Sequence, residues 1–426
     1  MFNALVIAYY YPPMGLSGVQ RTEKFTKYMP QYNWQPTVIT TGKTAYYAHD
    51  LTLLEEAEKA SVIIKRTESF DPNSFLKRFG TVQMPREFVR KTLSRLSKTF
   101  FIPDNKLFWS NKAFKLAGSL LKKEHFDILY VSIPPFSTFS MAAKLKKRFN
   151  IPLIVDYRDA WYGNQFAFTP TPYHSYKNKK LEDNALRAAD KVIVVNRLIK
   201  EKLLKTFRFL TFEDIVILPH GYDPEDYLNV EPIKDHANKM KILYSGIFYE
   251  NVTPKYLLQA FKQLTIERPD VASQIELQFV GHFRKENRNL AKRLGLEQFI
   301  TDFGYLNHQE TIRKIVSADI LWVMLGNKNM SAVTPGKLYE YFGSRKPIFA
   351  TIPDGASKLD AERYGASFIT EPDDSEGIKD MLIHIHSIYE KNNLPVPDEE
   401  FVITHNRKFL TESLTKEFQF FLRSEL

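Results

Sequence analysis

Eight consecutive residues, Thr334-Pro335-Gly336-Lys337-Leu338-Tyr339-Glu340-Tyr341, gather an anion-binding set of groups at one helix start. Thr334 can cap the helix, and Pro335 suits the first helical position, where a missing N–H costs nothing. Gly336 lets a ligand approach the backbone closely. The amides of the first turn and the helix dipole favour an anion such as a diphosphate, with Lys337 as the local cation. Glu340 follows three residues later on the same face, where its carboxylate can accept hydrogen bonds from two ribose hydroxyls. The set points to a pocket for a nucleoside diphosphate. The same residues also fit an ordinary capped helix carrying a Lys–Glu surface pair.

The elements that must hold such a pocket are legible in outline. Short β-rich apolar runs alternate with helical stretches, the pattern of an α/β protein with mostly parallel sheets. Strands are expected at Ala4–Tyr9, Thr37–Thr40, Ile128–Val131, Leu153–Val155 and Val192–Val195 in the first half. In the second half they are expected at Lys241–Tyr244, Glu276–Val280, Ile320–Met324 and Pro347–Ala350. Helices are expected between them, over Thr138–Lys147, Tyr176–Ala189 and Pro254–Leu264 among others. A length of 426 residues makes two domains the natural expectation. The turn-rich Ile217–Pro224 segment puts the boundary near residue 225. An N-terminal domain over 1–225, a C-terminal domain over 226–408 and an amphipathic helix over 409–426 follow.

Composition narrows the classes. The 44% apolar fraction is that of a globular protein. With no cysteine, disulfide scaffolds, thiolate metal sites and cysteine catalysis are excluded, and a reducing cytoplasm fits. The first nine residues read as a buried strand rather than a signal peptide, and no apolar run reaches the roughly 18–20 residues of a membrane span. A net charge of +10 implies a polyanionic partner. Nucleic acid is disfavoured because no recognition motif for it is present. No His/carboxylate metal cluster is visible, and Asp373-Asp374 reads as a solvated loop pair. From Pro85 to Phe100, Phe88, Val89, Leu93, Leu96 and Phe100 share one face of a helix, while Arg86, Arg90, Lys91, Arg95 and Lys98 cover the other. Such a helix either lies in an anionic membrane interface or packs on a core with a solvated basic face.

The ordered series of segments resembles the retaining, nucleotide-sugar-dependent glycosyltransferases of family four, which have the GT-B fold. Tyr10–Arg21, with Gly15 and Gly18, resembles that family's glycine-containing loop after the first strand. Ser132–Phe136 and Val155–Trp161 resemble segments at the carboxyl ends of its N-terminal strands, and Glu182–Asn196 resembles the helix and strand that close that domain. Leu243–Gly246, Val280-Gly281, Phe303–Leu306 and Ser317–Ile320 resemble its later turns, leading into Thr334–Tyr341 as the nucleotide-diphosphate site. The resemblance implies two Rossmann-like doubly wound domains facing a central cleft, with the C-terminal helix crossing back to the N-terminal domain.

For the site, the resemblance implies a donor set of Gly18, Gly246, Lys255, Arg284, Tyr305, Thr334, Gly336, Lys337 and Glu340. It also implies an acceptor side with Arg21, Ser132, Asp159 and Trp161. Lys337 would stabilise the departing diphosphate, and Asp156 and Arg158 would orient acceptor or sugar, although ion pairing among Asp156, Arg158 and Asp159 is an equally physical role. The implied activity is metal-independent transfer of a sugar, with retention, from a nucleoside diphosphate to an acceptor hydroxyl. No cofactor is implied beyond that co-substrate. A glycan or lipid-linked acceptor in bacterial polysaccharide synthesis, cytoplasmic or peripheral on the inner face of the membrane, is the implied setting. Three departures stand out. Ala332 occupies the place of the first of two glutamates. Of the Arg and Lys expected after Gly246 only Lys255 is present, with Arg284 as the substitute for the missing charge. The catalytic-domain histidine of some family members corresponds to Ser132 or its neighbours, so no histidine base is implied. The rival readings are a GT-B-like nucleotide-sugar epimerase and a catalytically degenerate sugar-nucleotide-binding subunit.

Overall fold

The computed structural model describes residues 1–15, 17–46, 48–68, 87–164, 168–233, 239–249, 251–326 and 328–422. They form two units, Met1–Pro219 with Arg407–Leu426, and His220–Asn406. In the first, strands β1 (Phe2–Ile7), β2 (Trp34–Thr41), β3 (Ile63–Thr67), β4 (Ile128–Ile133), β5 (Leu153–Tyr157), β6 (Lys191–Val194) and β7 (Ile215–Ile217) make one sheet. All pairings are parallel, in the order β3-β2-β1-β4-β5-β6-β7. The central strands are buried on both faces, as parallel strands under helices must be. Every residue of β4 and β5 is buried.

The second unit repeats the plan with β8 (Met240–Ser245), β9 (Ile275–Val280), β10 (Ile300–Gly304), β11 (Ile320–Met324), β12 (Ile348–Thr351) and β13 (Ser367–Thr370). Its order is β10-β9-β8-β11-β12-β13, again wholly parallel. In each unit the strand order reverses beside the first strand, between β1 and β4 and between β8 and β11. Open α/β sheets bind ligands outside the carboxyl ends of strands at that reversal. Helix starts carry local signals. Asn307 and Glu310 form a capping box for His308–Ser317. Asp374, expected in a solvated loop pair, caps Ser375–Glu390 by accepting from the Gly377 amide.

The chain changes unit at Pro219–His220 rather than near residue 225. The Arg21 guanidinium donates to the carbonyls of Leu218 and Pro219, which holds them in the first unit. The Tyr222 amide donates to the His405 carbonyl, which holds Tyr222 in the second. The last helix, Arg407–Leu422, belongs to the first unit. Leu410, Leu414 and Phe418, spaced four apart on one face, enter a core with Phe25, Met29, Trp34 and Tyr130. The Phe418 ring lies 5.1 Å from Trp34 and 5.6 Å from Tyr130. Residues 423–426 of the expected 409–426 helix lie outside the described residues. So do Pro85 and Arg86 of the expected basic helix, which runs over Glu87–Phe100. Among the described residues no helix is long and apolar enough to cross a membrane.

Candidate functional site

In the second unit, tight turns follow β8 and β9 at the carboxyl edge of the sheet. The Gly246 amide donates to the Val280 carbonyl at 2.8 Å, and the Gly281 amide to the Gly304 carbonyl at 2.7 Å, so consecutive turns are tied together. Gly246 and Gly281 have φ of +135° and +114°. A Cβ on Gly281 would stand 2.2 Å from the Gly246 carbonyl oxygen, and one on Gly246 would stand 2.4 Å from the Lys337 Nζ. Glycine at both places is what lets the Lys337 amine lie against the first turn.

Lys337 is half-buried, with Nζ 3.7 Å from the centre of the Tyr244 ring. Burial pushes its pKa down to about 7, and the Glu340 carboxylate pulls it back only in part. The amine is therefore poised between charged and neutral, and an anion placed beside it would draw the proton on. Its helix is fixed by Tyr341, a fully buried residue whose hydroxyl accepts from the Ser245 amide at 2.9 Å. Tyr244 in turn stacks on Phe248, with ring centres 4.3 Å apart.

The helix start is displaced by one residue from the sequence expectation. It runs over Gly336–Ser344 with Pro335 at the N-cap, in extended conformation and without a side-chain cap. The Pro335 carbonyl accepts from the Leu338 amide at 3.0 Å. Thr334 is thus not the cap, and Pro335 is not the first helical residue. The buried Thr334 belongs to the loop that delivers the helix. That loop is held by the following crossover: Ser357 Oγ donates to the Val333 carbonyl and the Ala356 amide to the Ser331 carbonyl, at 2.7 and 2.8 Å. Gly336 and Lys337 are left as the first two amides of the helix, with no carbonyl partner inside it.

The remaining residues expected on the donor side lie along the same edge. Lys255 is exposed at the first position of the helix Lys255–Glu267, after β8. Arg284 is the N-cap residue of Lys285–Leu294, after β9. Tyr305 follows β10, its ring nearly parallel to that of His282 at 6.1 Å. The structure thus brings Gly246, Lys337 and Glu340 together directly, while Lys255, Arg284 and Tyr305 occupy the neighbouring turns. Glu250, between Gly246 and Lys255, lies outside the described residues.

The first unit departs further from expectation. Arg21 and Asp156 form a buried ion pair, with guanidinium–carboxylate distances of 2.8–3.0 Å and side chains 1% and 0% exposed. Neither group reaches solvent, so the acceptor contact expected of Arg21 and the substrate-orienting role expected of Asp156 give way to mutual neutralisation. Arg158 donates to the carbonyls of Gly18, Ile133 and Pro134. Through these backbone acceptors it fastens the loop after β4 to the helix Ser17–Tyr28. Ser132 is buried and accepts from Thr22 Oγ1 at 3.0 Å. Trp161, also expected on the acceptor side, packs flat on Phe136 at 4.9 Å and donates its indole N–H to Asn178. Of the residues expected in this unit, Asp159 and Gly18 are exposed.

One carboxylate of note was not legible as a separate feature. Glu182 is fully buried and accepts from the Tyr157 hydroxyl and the Tyr162 amide. Burial raises its pKa to about 7 against these two donors. It fastens the Tyr157–Tyr162 segment at the end of β5. Tyr157 and Glu182 sit on a strand and a helix twenty-five positions apart, and no spacing in the sequence connects them.

The fold has counterparts among known proteins. A sequence model of Glycosyltransferase Family 4 matches residues 72–226. No curated protein matches the chain. Among solved structures, a glycosyltransferase from Rickettsia africae is similar over 99% of this chain and 98% of its own, at 16% identity and TM-score 0.64. Sucrose-phosphate synthase from Thermosynechococcus elongatus is similar over the whole of both chains, at 13% identity and TM-score 0.65. HepE of Anabaena, in complex with UDP, is similar over 98% of this chain and all of its own, at 14% identity and TM-score 0.62. The chain therefore has the GT-B fold, with two Rossmann-like units, and its Glycosyltransferase Family 4 match covers residues 72–226.

Proposed function

We propose that this protein transfers a sugar from a nucleoside-diphosphate donor to an acceptor hydroxyl with retention of configuration. The observation that carries the reading is the Lys337 amine, held against the Gly246 turn at the start of the Gly336–Ser344 helix. The difficult step is stabilising a diphosphate whose negative charge grows as the glycosidic bond breaks. A fixed cation and two helix-start amides act most strongly on that growing charge. Lys337 is the group placed at the leaving phosphates, supported by Lys255 and Arg284 from adjacent turns. Glu340 takes the ribose hydroxyls, Gly246 and Gly336 allow close approach, and Tyr305 lies on the side of the base. With this positive charge supplied by the chain, the reaction needs no metal ion. The departing phosphate itself accepts the acceptor's proton, so no histidine base is required.

HepE has been solved with UDP and with UDP-glucose, which supports a uridine donor as the first to try. The acceptor proposed is a glycan or lipid-linked glycan of a bacterial envelope. The protein would act in the cytoplasm at an anionic membrane surface, through the Glu87–Phe100 helix and the net charge of +10. A thermal-shift screen of UDP-, GDP- and ADP-sugars identifies the donor, because a bound donor raises the unfolding temperature. Lys337→Ala and Glu340→Ala are expected to lower transfer by about 100-fold or more while leaving the fold intact. Wild-type turnover in either variant defeats the assignment. Conversion of the donor to an isomeric nucleotide-sugar without any acceptor identifies an epimerase instead. Donor binding that never releases nucleoside diphosphate identifies a binding subunit, the reading that Ala332 favours.

A further inference from the structure

The helix Glu87–Phe100 is exposed in a way that ordinary surface helices are not. Its fourteen residues include no buried side chain among those described. Phe88 is 81% exposed, and Val89, the least exposed of the five apolar residues on its face, is still 43% exposed. An isolated helix of this length is marginal in water, and helices in proteins are normally stabilised by burying their apolar face. Here that face, with Leu93, Leu96 and Phe100, is turned to solvent.

A second element continues the surface. The Arg95 guanidinium lies 5.4 Å from the centre of the Phe168 ring, and the His174 Nε2–H donates to the Thr99 carbonyl at 3.1 Å. The His174 Nδ1 is meanwhile engaged by the Thr171 hydroxyl, the N-cap of the helix Pro172–Leu186. Two helices are thereby coupled at their ends, and the second presents Tyr173 and Tyr176, 58% and 60% exposed. The amines of Lys177 and Lys180 lie 5.4 and 6.0 Å from the centres of these two rings.

We propose that these two helices form one interfacial surface that seats on an anionic lipid bilayer. The Phe88–Phe100 face would enter the headgroup–acyl boundary, and Tyr173, Tyr176 and Phe168 would form an aromatic rim at headgroup level. The occupant follows from the chemistry of the patch. The Glu87–Phe100 helix carries four cations, Arg90, Lys91, Arg95 and Lys98, against one carboxylate. Apolar residues on one face, cations on the other and Lys–Tyr pairs beside them are the composition of an in-plane membrane helix with an interfacial belt. Anionic headgroups complement the cations as well as the net charge of +10. The proposal rests on the peripheral membrane reading above and extends it to a second element.

Flotation of the full chain with two vesicle types tests it, one of phosphatidylcholine and one of phosphatidylcholine with phosphatidylglycerol. The expected result is flotation with the phosphatidylglycerol vesicles only, weakening as salt is raised. The Phe88→Ser, Leu93→Ser, Phe100→Ser variant should remain in solution, and Tyr173→Ser with Tyr176→Ser should weaken binding about ten-fold. All these positions are exposed, and an unchanged thermal shift with UDP in each variant reports an intact second unit. Circular dichroism melts report the first. Flotation of the triple variant like wild type overturns the surface, and flotation of the tyrosine variant like wild type overturns the second element. Equal binding to both vesicle types overturns the anionic partner. A wild type that is dimeric, and becomes monomeric in the triple variant, assigns the face to a second copy and overturns the proposal. A protein that floats but takes no nucleotide sinks the donor site alone, while one that takes nucleotide but does not float sinks this surface alone.

Discussion

Lys337 illustrates how a binding group is held at a cost to the fold. In the unfolded chain its amine keeps its proton up to the usual lysine value of 10.5, whereas in the native state it keeps it only to about 7. Between those values the unfolded state binds the extra proton, so stability rises with pH across the window. Lys337→Met has no such slope. It is therefore expected to be more stable than wild type near pH 7 by about 1–3 kcal/mol, with the gap closing towards pH 10. Urea denaturation at the two ends of the window checks this. The ligand should reverse the effect, because a diphosphate beside the amine restores its proton. Calorimetric titration of UDP above pH 7, in buffers of different ionisation enthalpy, should show proton uptake by wild type and none by Lys337→Met. Uptake persisting in the variant would place the titrating group elsewhere. Lys337 is thus a residue whose removal helps the fold and harms the proposed activity.

The glycine turns place that lysine, and they can be tested as elements. Gly281→Ala forces a Cβ into the Gly246 carbonyl at a φ of +114°, so either the turn after β8 or the one after β9 must move. The expected stability loss is about 1–3 kcal/mol. UDP affinity should fall as well at temperatures where the variant is fully folded, because the turn that receives the Lys337 amine is displaced. Unchanged affinity in the folded variant would detach the turn from the site. The same elements explain what the sequence revealed and what it hid. The nine strands expected from apolar runs are all present, and the four not expected are β3, β7, β10 and β13. These are the edge strands of the two sheets. A central parallel strand is buried on both faces and reads as continuous hydrophobic residues. An edge strand is half covered: no residue of β3, β10 or β13 is fully buried. The same logic divides the candidate site. Lys337 and Glu340 were legible because a helix start is local, and Gly246 followed from the family resemblance. Arg21 and Asp156 are 135 positions apart, and only the folded sheet shows that they neutralise each other.

At the scale of the whole chain, the first unit is discontinuous, since the polypeptide leaves it at Pro219 and returns at Arg407. What the returning helix contributes is apolar burial. Leu410, Leu414 and Phe418 are each at most 2% exposed, and the Phe418 ring sits between Trp34 of β2 and Tyr130 of β4. The central sheet of the first unit is therefore completed by residues translated only after the second unit. Truncating the Phe418 ring leaves a cavity that its rigid aromatic neighbours cannot close, and Phe418→Ala should cost about 3–5 kcal/mol. The loss should be confined to one unit. Amide exchange in β1, β2 and β4 is expected to accelerate, while protection of β8, β9 and β11 remains as in wild type. Trp34 emission should shift to longer wavelength as water gains access to its ring. Because Lys337 and the Gly246 turn belong entirely to the second unit, the UDP-induced proton uptake should survive the substitution under conditions where the first unit remains folded. Equal acceleration of exchange in both sheets would show instead that the two units unfold as one cooperative body, and that the returning helix stabilises the whole chain rather than the sheet it packs on.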